Sequence, residues 1–264
     1  MEIEPLKRFG GRVAIITGGA SGIGKASARR LAAEGAEVVI LDRDIAGADH
    51  LAHELRAAGH RAHVVELDLS DESLISRVAQ QLVERFPEVH VLVNSAGVVH
   101  INGKQDSTFI DGGLAGWDLL VGVNLKGAAI LVHGLLPAII AGHGAIVNVS
   151  SEGAFRSRPN KWIYDATKAA VLSLTRSLAA SLAPYGVRVN SIAPGGTITE
   201  MHLNDYPDAE LAREELRSMK LSNLLGRFAD PSEIAASIAF LASDDASFVT
   251  GTTLAADGGG TGSR

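Results

Sequence analysis

Short runs of β-branched residues recur along the chain, each followed by a longer stretch whose apolar residues return every three or four positions. That alternation is the pattern of stacked βαβ units, because a chain forming parallel strands must cross back through a helix before the next strand begins. Strands are expected near 13–17, 37–41, 61–66, 89–94, 145–149, 188–192 and 252–255, and helices over 23–34, 46–58, 74–86, 117–140, 161–183 and 231–241. The predicted fold class is therefore α/β: one seven-stranded, doubly wound parallel sheet with helices on both faces. No composition break divides the 264 residues, so a single domain, 1–264, is expected.

Composition narrows the partners. The net charge of −6 includes no basic block, which argues against nucleic acid or an anionic membrane surface and favours a small molecule. Without cysteine there is no disulfide, thiol nucleophile or cysteine-based zinc site. The first eleven residues show no secretory pattern, and a cytoplasmic protein is expected. The stretch 127–151 has no Asp, Glu, Lys or Arg, but glycines and Pro137 interrupt it and it ends in a β-branched run. It reads as a buried helix and strand rather than a membrane span. His50-x-x-His53 and His60-x-x-His63 resemble metal ligand pairs, yet nothing completes either set at usual spacing, and no metal is expected.

The first expected strand is followed by Thr17-Gly-Gly-Ala-Ser-Gly-Ile-Gly24 and then a helix, placing Gly18, Ser21, Gly22, Ile23 and Gly24 in a strand-to-helix turn. Glycines there let backbone approach a pyrophosphate, and the helix N-terminus presents amides and a positive dipole end. The second strand ends at Asp42, about twenty residues on, where a carboxylate accepts from a ribose 2′-hydroxyl and repels a 2′-phosphate. This favours NAD over NADP, although Arg43 could pair a phosphate. Asp68 and Leu69 follow the third strand, with Asp68 placed to accept from adenine, and Asn94-Ser-Ala96-Gly97 closes the fourth with small residues that let adenosine pack closely. A turn in which these strand-end residues bond their own backbone is the alternative.

Twelve residues separate Ser151 from Tyr164, and three separate Tyr164 from Lys168. Residues four apart share a helix face, so the phenol and the ammonium can act on one spot. Bringing a phenol from a pKa of about 10 to about 7 takes roughly 4 kcal/mol, which a neighbouring lysine and an oxidised nicotinamide ring can supply. Tyr164 would exchange a proton with an alcohol oxygen while Ser151 donates a hydrogen bond to it. Asn124, a weak helix former inside an apolar pattern, is expected to bond backbone or a water near Lys168.

These residues, the glycine turn 17–24, Asn94-Ser-Ala-Gly97, Asn124, Ser151, Tyr164-Asp-Ala-Thr-Lys168 and Pro194-Gly195, closely resemble the short-chain dehydrogenase/reductase family of classical type over nearly the whole chain. The resemblance implies a Rossmann fold in which 1–150 mainly binds cofactor and 151–264 carries the catalytic and substrate-binding parts. It implies a catalytic tetrad of Asn124, Ser151, Tyr164 and Lys168, with Lys168 also bonding the nicotinamide ribose. The segment after Pro194-Gly195, with Thr197 and Thr199, is expected against the carboxamide, though the family commonly has Val or Ile where Thr197 stands. A homotetramer joined through the two long helices is also implied.

The expected function is hydride transfer between NAD(H) and a secondary alcohol or ketone. Glu152, Arg156, Arg158 and Trp162, between Ser151 and Tyr164, together with His100, are the substrate candidates, and they suggest a hydroxylated or carboxylated compound. The segments 100–116 and 195–227 break the rhythm and are expected to border the substrate. Alternatives are an NADP-dependent ketone or 3-oxoacyl reductase, an enzyme recycling a transient ketone, and a catalytically silent NAD-binding regulator.

Overall fold

The computed structural model describes residues 7–99, 108–112, 114–203 and 208–262. Seven strands, β1 (Val13–Thr17), β2 (Glu37–Asp42), β3 (Ala62–Glu66), β4 (Val91–Asn94), β5 (Ala145–Val149), β6 (Arg188–Pro194) and β7 (Thr253–Ala256), form one parallel sheet in the order β3-β2-β1-β4-β5-β6-β7. The register pairs Val13 with Glu37 across β1 and β2, and Ala14 with Val91 across β1 and β4. All seven lie where the β-branched runs place them. β4 and β5 are buried throughout, and β1, β2 and β6 at all but terminal positions, as in a sheet covered on both faces.

The helices are α1 (Gly22–Ala33), α2 (Ile45–Ala57), α3 (Glu72–Arg85), α4 (Phe109–Gly112), α5 (Trp117–Val121), α6 (Ala128–Ala141), α7 (Trp162–Leu182), α8 (Glu200–Leu203), α9 (Ala209–Ser218) and α10 (Pro231–Ala242). Alternating side chains of the strands divide the core in two. Ala14 and Ile16 of β1 pack with Leu31, Leu51, Ile234 and Ile238 from α1, α2 and α10. Ile15 points the other way, among Ile75, Val78, Leu131, Leu135 and Ile139 from α3 and α6. Carboxylates cap the starts of α2, α3 and α10. Asp44 and Asp71 accept from Gly47 N (3.0 Å) and Leu74 N (2.9 Å), while Asp230 and Glu233 form a capping box around Pro231. Each such cap is worth about 1 kcal/mol.

One expected element differs. The helix over 117–140 is not uniform: between α5 and α6, residues Gly122–Gly127 form a wider π-helical turn. Gly127 within it packs directly on Leu69, its missing Cβ position falling on the Leu69 carbonyl. The whole run Trp117–Ala141 is long and apolar enough to cross a membrane, but Leu120, Leu131, Leu135, Ala138 and Ile139 on it belong to the buried interior.

The segment 195–227 contains α8 and α9, with a small core of Ile198, Leu203, Ala212 and Leu216. Thr197 pairs with Ala229 in an isolated parallel bridge. Of the other irregular segment, His100 and residues 101–107 lie outside the described residues.

Candidate active site

The strand order reverses between β1 and β4, which leaves a crevice at their carboxyl ends. A cavity of about 460 Å³ opens there, a size suited to a small ligand or cofactor. Of the cofactor candidates, Gly18, Ser21, Gly22, Ile23, Gly24, Asp42, Asp68, Leu69, Ala96, Gly97, Tyr164, Lys168, Pro194, Gly195, Thr197 and Thr199 line it.

The cradle is shaped for backbone approach. Gly18 has φ +66°, and a Cβ on it would lie 2.8 Å from Ala96 Cα, so this turn needs glycine on both counts. Ser21 at the start of α1 makes no side-chain cap and lines the cavity together with Gly22, Ile23 and Gly24. A dinucleotide therefore fits the residues present.

Asp42 braces the turn, Oδ2 accepting from Ala20 N at 2.9 Å and Oδ1 from Asp44 N at 3.0 Å, and still lines the cavity beside Arg43. Asp68 Oδ1 accepts from both the backbone N and the hydroxyl of Ser70, which hold its carboxyl below the usual range. The bond to nearby backbone foreseen as the alternative is thus present at Asp68, and Asp42 makes bonds of the same kind. Asn94 is not among the lining residues. Its Nδ2 donates within the sheet to Oδ1 of Asn148, its register partner on β5, at 2.8 Å.

At the other end of the cavity, β5 delivers Ser151 and α7 presents Tyr164 and Lys168. Ser151 Oγ accepts from Gly153 N at 3.0 Å, capping the short 3₁₀ turn Glu152–Phe155, and is hydrogen-bonded to the Tyr164 phenol. Lys168 Nζ donates to Val149 O at 2.9 Å, and burial lowers its pKa to about 8. Burial raises that of Tyr164, against which the Ser151 bond and the Arg158 charge act. Lys168 Nζ is 5.7 Å from the Tyr164 ring centre.

Asn124 sits in the π-helical turn, buried, and does not line the cavity. Its Oδ1 accepts from Val98 N at 2.8 Å, and its Nδ2 donates to Val98 O at 2.9 Å and to Thr167 Oγ1 at 3.2 Å. It bonds backbone, one of the two roles expected of it, and pins the turn beyond Gly97 to α7.

The substrate candidates separate. Glu152 and Arg158 line the cavity, whereas Arg156 and Trp162 do not. Arg156 Nη1 instead pairs with Glu152 Oε1 at 2.8 Å, and Trp162 packs among the rings of Phe109 and Trp117. Arg156 and Arg158 lie in extended backbone between the 3₁₀ turns Glu152–Phe155 and Pro159–Lys161, where no regular period tells which side chain turns inward.

Several cavity residues were not singled out by the sequence. Lys161 is one, and Glu200, whose Oε2 accepts from Gly22 N at 2.7 Å, is another. Thr17 is a third, its hydroxyl accepting from Ser95 N and Ala96 N, both at 3.1 Å. Only Thr17 had a signal, as the last residue of β1 before the glycines. Among the described residues no group of three or more His, Asp or Glu side chains is arranged to hold a metal.

Comparison with known proteins extends this geometry. A family model described as Enoyl-(Acyl carrier protein) reductase matches residues 18–261. The cis-4-hydroxycyclohexanecarboxylate dehydrogenase of Sinomonas cyclohexanicum is 42% identical, over 95% of this chain and 97% of its own. A solved short chain dehydrogenase/reductase family protein superposes with a TM-score of 0.81 at 39% identity, covering 97% and 99% of the two chains. The chain belongs to the short-chain dehydrogenase/reductase family. A further structure is described as a candidate NAD(P) dependent gluconate 5-dehydrogenase from Beutenbergia cavernae with NADP bound at low occupancy. It matches with a TM-score of 0.83 at 36% identity, covering 96% and 98%. As a member of the family the protein is a nicotinamide-nucleotide oxidoreductase acting on CH–OH groups or the corresponding carbonyls.

Proposed function

We propose that this dehydrogenase moves a hydride between NAD(H) and a polar secondary alcohol or ketone, hydroxylated or carboxylated. The observation that carries the reading is the single cavity shared by the glycine turn before α1 and the side chains of Ser151, Tyr164 and Lys168. The bound nicotinamide supplies the hydride acceptor or donor. Tyr164 takes the proton from the alcohol hydroxyl, or returns it in the reverse direction. Ser151, whose Oγ accepts from Gly153 N and is hydrogen-bonded to the Tyr164 phenol, would turn its O–H to the reacting oxygen when substrate enters. Lys168, with one donor spent on Val149 O, would hold the cofactor ribose with those that remain, and Asn124 fixes the turn beside it.

Asp42 on the cavity wall supports NAD, since a 2′-phosphate beside it meets a carboxylate. The polar substrate is supported by Glu152, Arg158 and Lys161 near Tyr164, and by relatives whose named substrates carry hydroxyl and carboxylate groups. The same reading takes the protein to be a cytoplasmic homotetramer, joined through α6 and α7.

The test is a panel of hydroxy acids, polyols and simple secondary alcohols, offered with NAD and with NADP and followed by reduced-nicotinamide absorbance. Turnover with NAD, lowered about 10²- to 10⁴-fold in Tyr164→Phe, is expected. Higher kcat/KM with NADP sinks the assignment of Asp42. NAD binding with no compound turned over returns the protein to the silent-regulator alternative.

A further inference from the structure

Arg158 and Asp165 form an ion pair that the tetrad does not require. Arg158 Nε donates to Asp165 Oδ2 at 3.0 Å and Nη2 donates to Oδ1, while Asp165, next to Tyr164 on α7, is 8% exposed. Room for the pair is left by Gly153, where a Cβ would fall on Arg158 Nη2 and Asp165 Oδ1. The guanidinium carbon lies 5.8 Å from the centre of the Tyr164 ring, as near as Lys168 Nζ at 5.7 Å. Largely buried ion pairs are weak sources of stability, because desolvation offsets their attraction.

We propose that Asp165 holds Arg158, over the gap at Gly153, as a second cation beside Tyr164, a positioning residue that with Lys168 favours the phenolate form of that side chain.

The charges facing the phenol come from three places. Lys168 and Asp165 are on α7, Arg158 is on the strap before it, and Glu152 is on the 3₁₀ turn after β5, itself paired to Arg156. Lys161 lines the same cavity. Burial, Asp165 and Glu152 push the phenol up, and Ser151 and Arg158 pull it down. The two cations differ in range. Burial lowers the Lys168 pKa to about 8, so its charge fades above that pH, whereas a guanidinium stays protonated. Arg158 thus keeps a positive charge beside Tyr164 where Lys168 no longer does.

The catalytic meaning rests on Tyr164 being the proton carrier, but the pairing is testable without substrate or cofactor. The chain has three tyrosines, so near-ultraviolet tyrosinate absorbance of the protein minus that of its Tyr164→Phe variant isolates Tyr164. Circular dichroism at each pH confirms folding. Arg158→Gln raises the Tyr164 midpoint by about one pH unit, the low end of what a charge ~4–6 Å away does. Arg158→Lys restores part of it. Asp165→Asn, whose amide oxygen still accepts from the guanidinium, lowers it. An unchanged midpoint in folded Arg158→Gln overturns the proposal. Should that variant not fold, an unchanged midpoint in Arg158→Met, which keeps the length of the side chain without its charge, does so. If the midpoints move but the pH profile of turnover does not follow, the pairing stands and the reading of Tyr164 as proton carrier fails.

Discussion

Lys168 is 4% exposed, and the ammonium pays a desolvation penalty that its bond to Val149 O does not cancel. Its proton leaves at about 8 in the folded chain against 10.5 for a free lysine, so between those values the unfolded chain holds more protons and stability rises with pH. Below that window the full penalty applies, on the order of 3 kcal/mol. Without cofactor, Lys168→Met is therefore expected to melt above wild type at neutral pH, with the gap closing as pH rises through the window, and to be inactive. Melting temperature against pH checks this, and a gap independent of pH contradicts it. Ser151, Tyr164 and Lys168 were legible because helical spacing and position after β5 bring them together. The Arg158–Asp165 pair was not, since it spans a strap of irregular backbone in which no period tells which side chain turns inward, and Arg156 turned the other way.

Elements were read more completely than their irregularities. The seven strands and six long helices follow from where apolar residues recur, and a buried parallel sheet tolerates little else. The π-helical turn Gly122–Gly127 was not read as such, although Asn124 within it stood out from the apolar pattern, because a polar residue in a helix does not say that the turn is wider. Widening one turn alters which side a residue faces without altering composition. Asn124 depends on that turn, since both its polar ends meet the Val98 backbone. Asn124→Ala leaves those groups unpartnered and is expected to destabilise the fold by about 1–3 kcal/mol, read from urea unfolding midpoints. Asn124→Asp, which keeps the acceptor but loses the donor, should fall between. Equal midpoints for Asn124→Ala and wild type would show that Val98 finds other partners.

For the whole molecule, the outer face of α7 carries Ala166, Ala169, Ser173, Ser177 and Ala180, small exposed residues at helical spacing. Under the homotetramer reading, Ser173→Arg puts a long charged side chain into that contact. It is expected to reduce the mass seen by light scattering while leaving the helical circular dichroism unchanged; an unaltered mass places the contact elsewhere. The strand order also has a consequence for how such a chain is made. β2 and β3 add on one side of β1, and β4, β5, β6 and β7 add in succession on the other. Each strand thus joins an open edge in the order in which it leaves the ribosome, and none must be wedged between two already paired. Parallel pairing is slow because its contacts are distant in sequence. Here that slowness need not be compounded by undoing earlier pairings during synthesis.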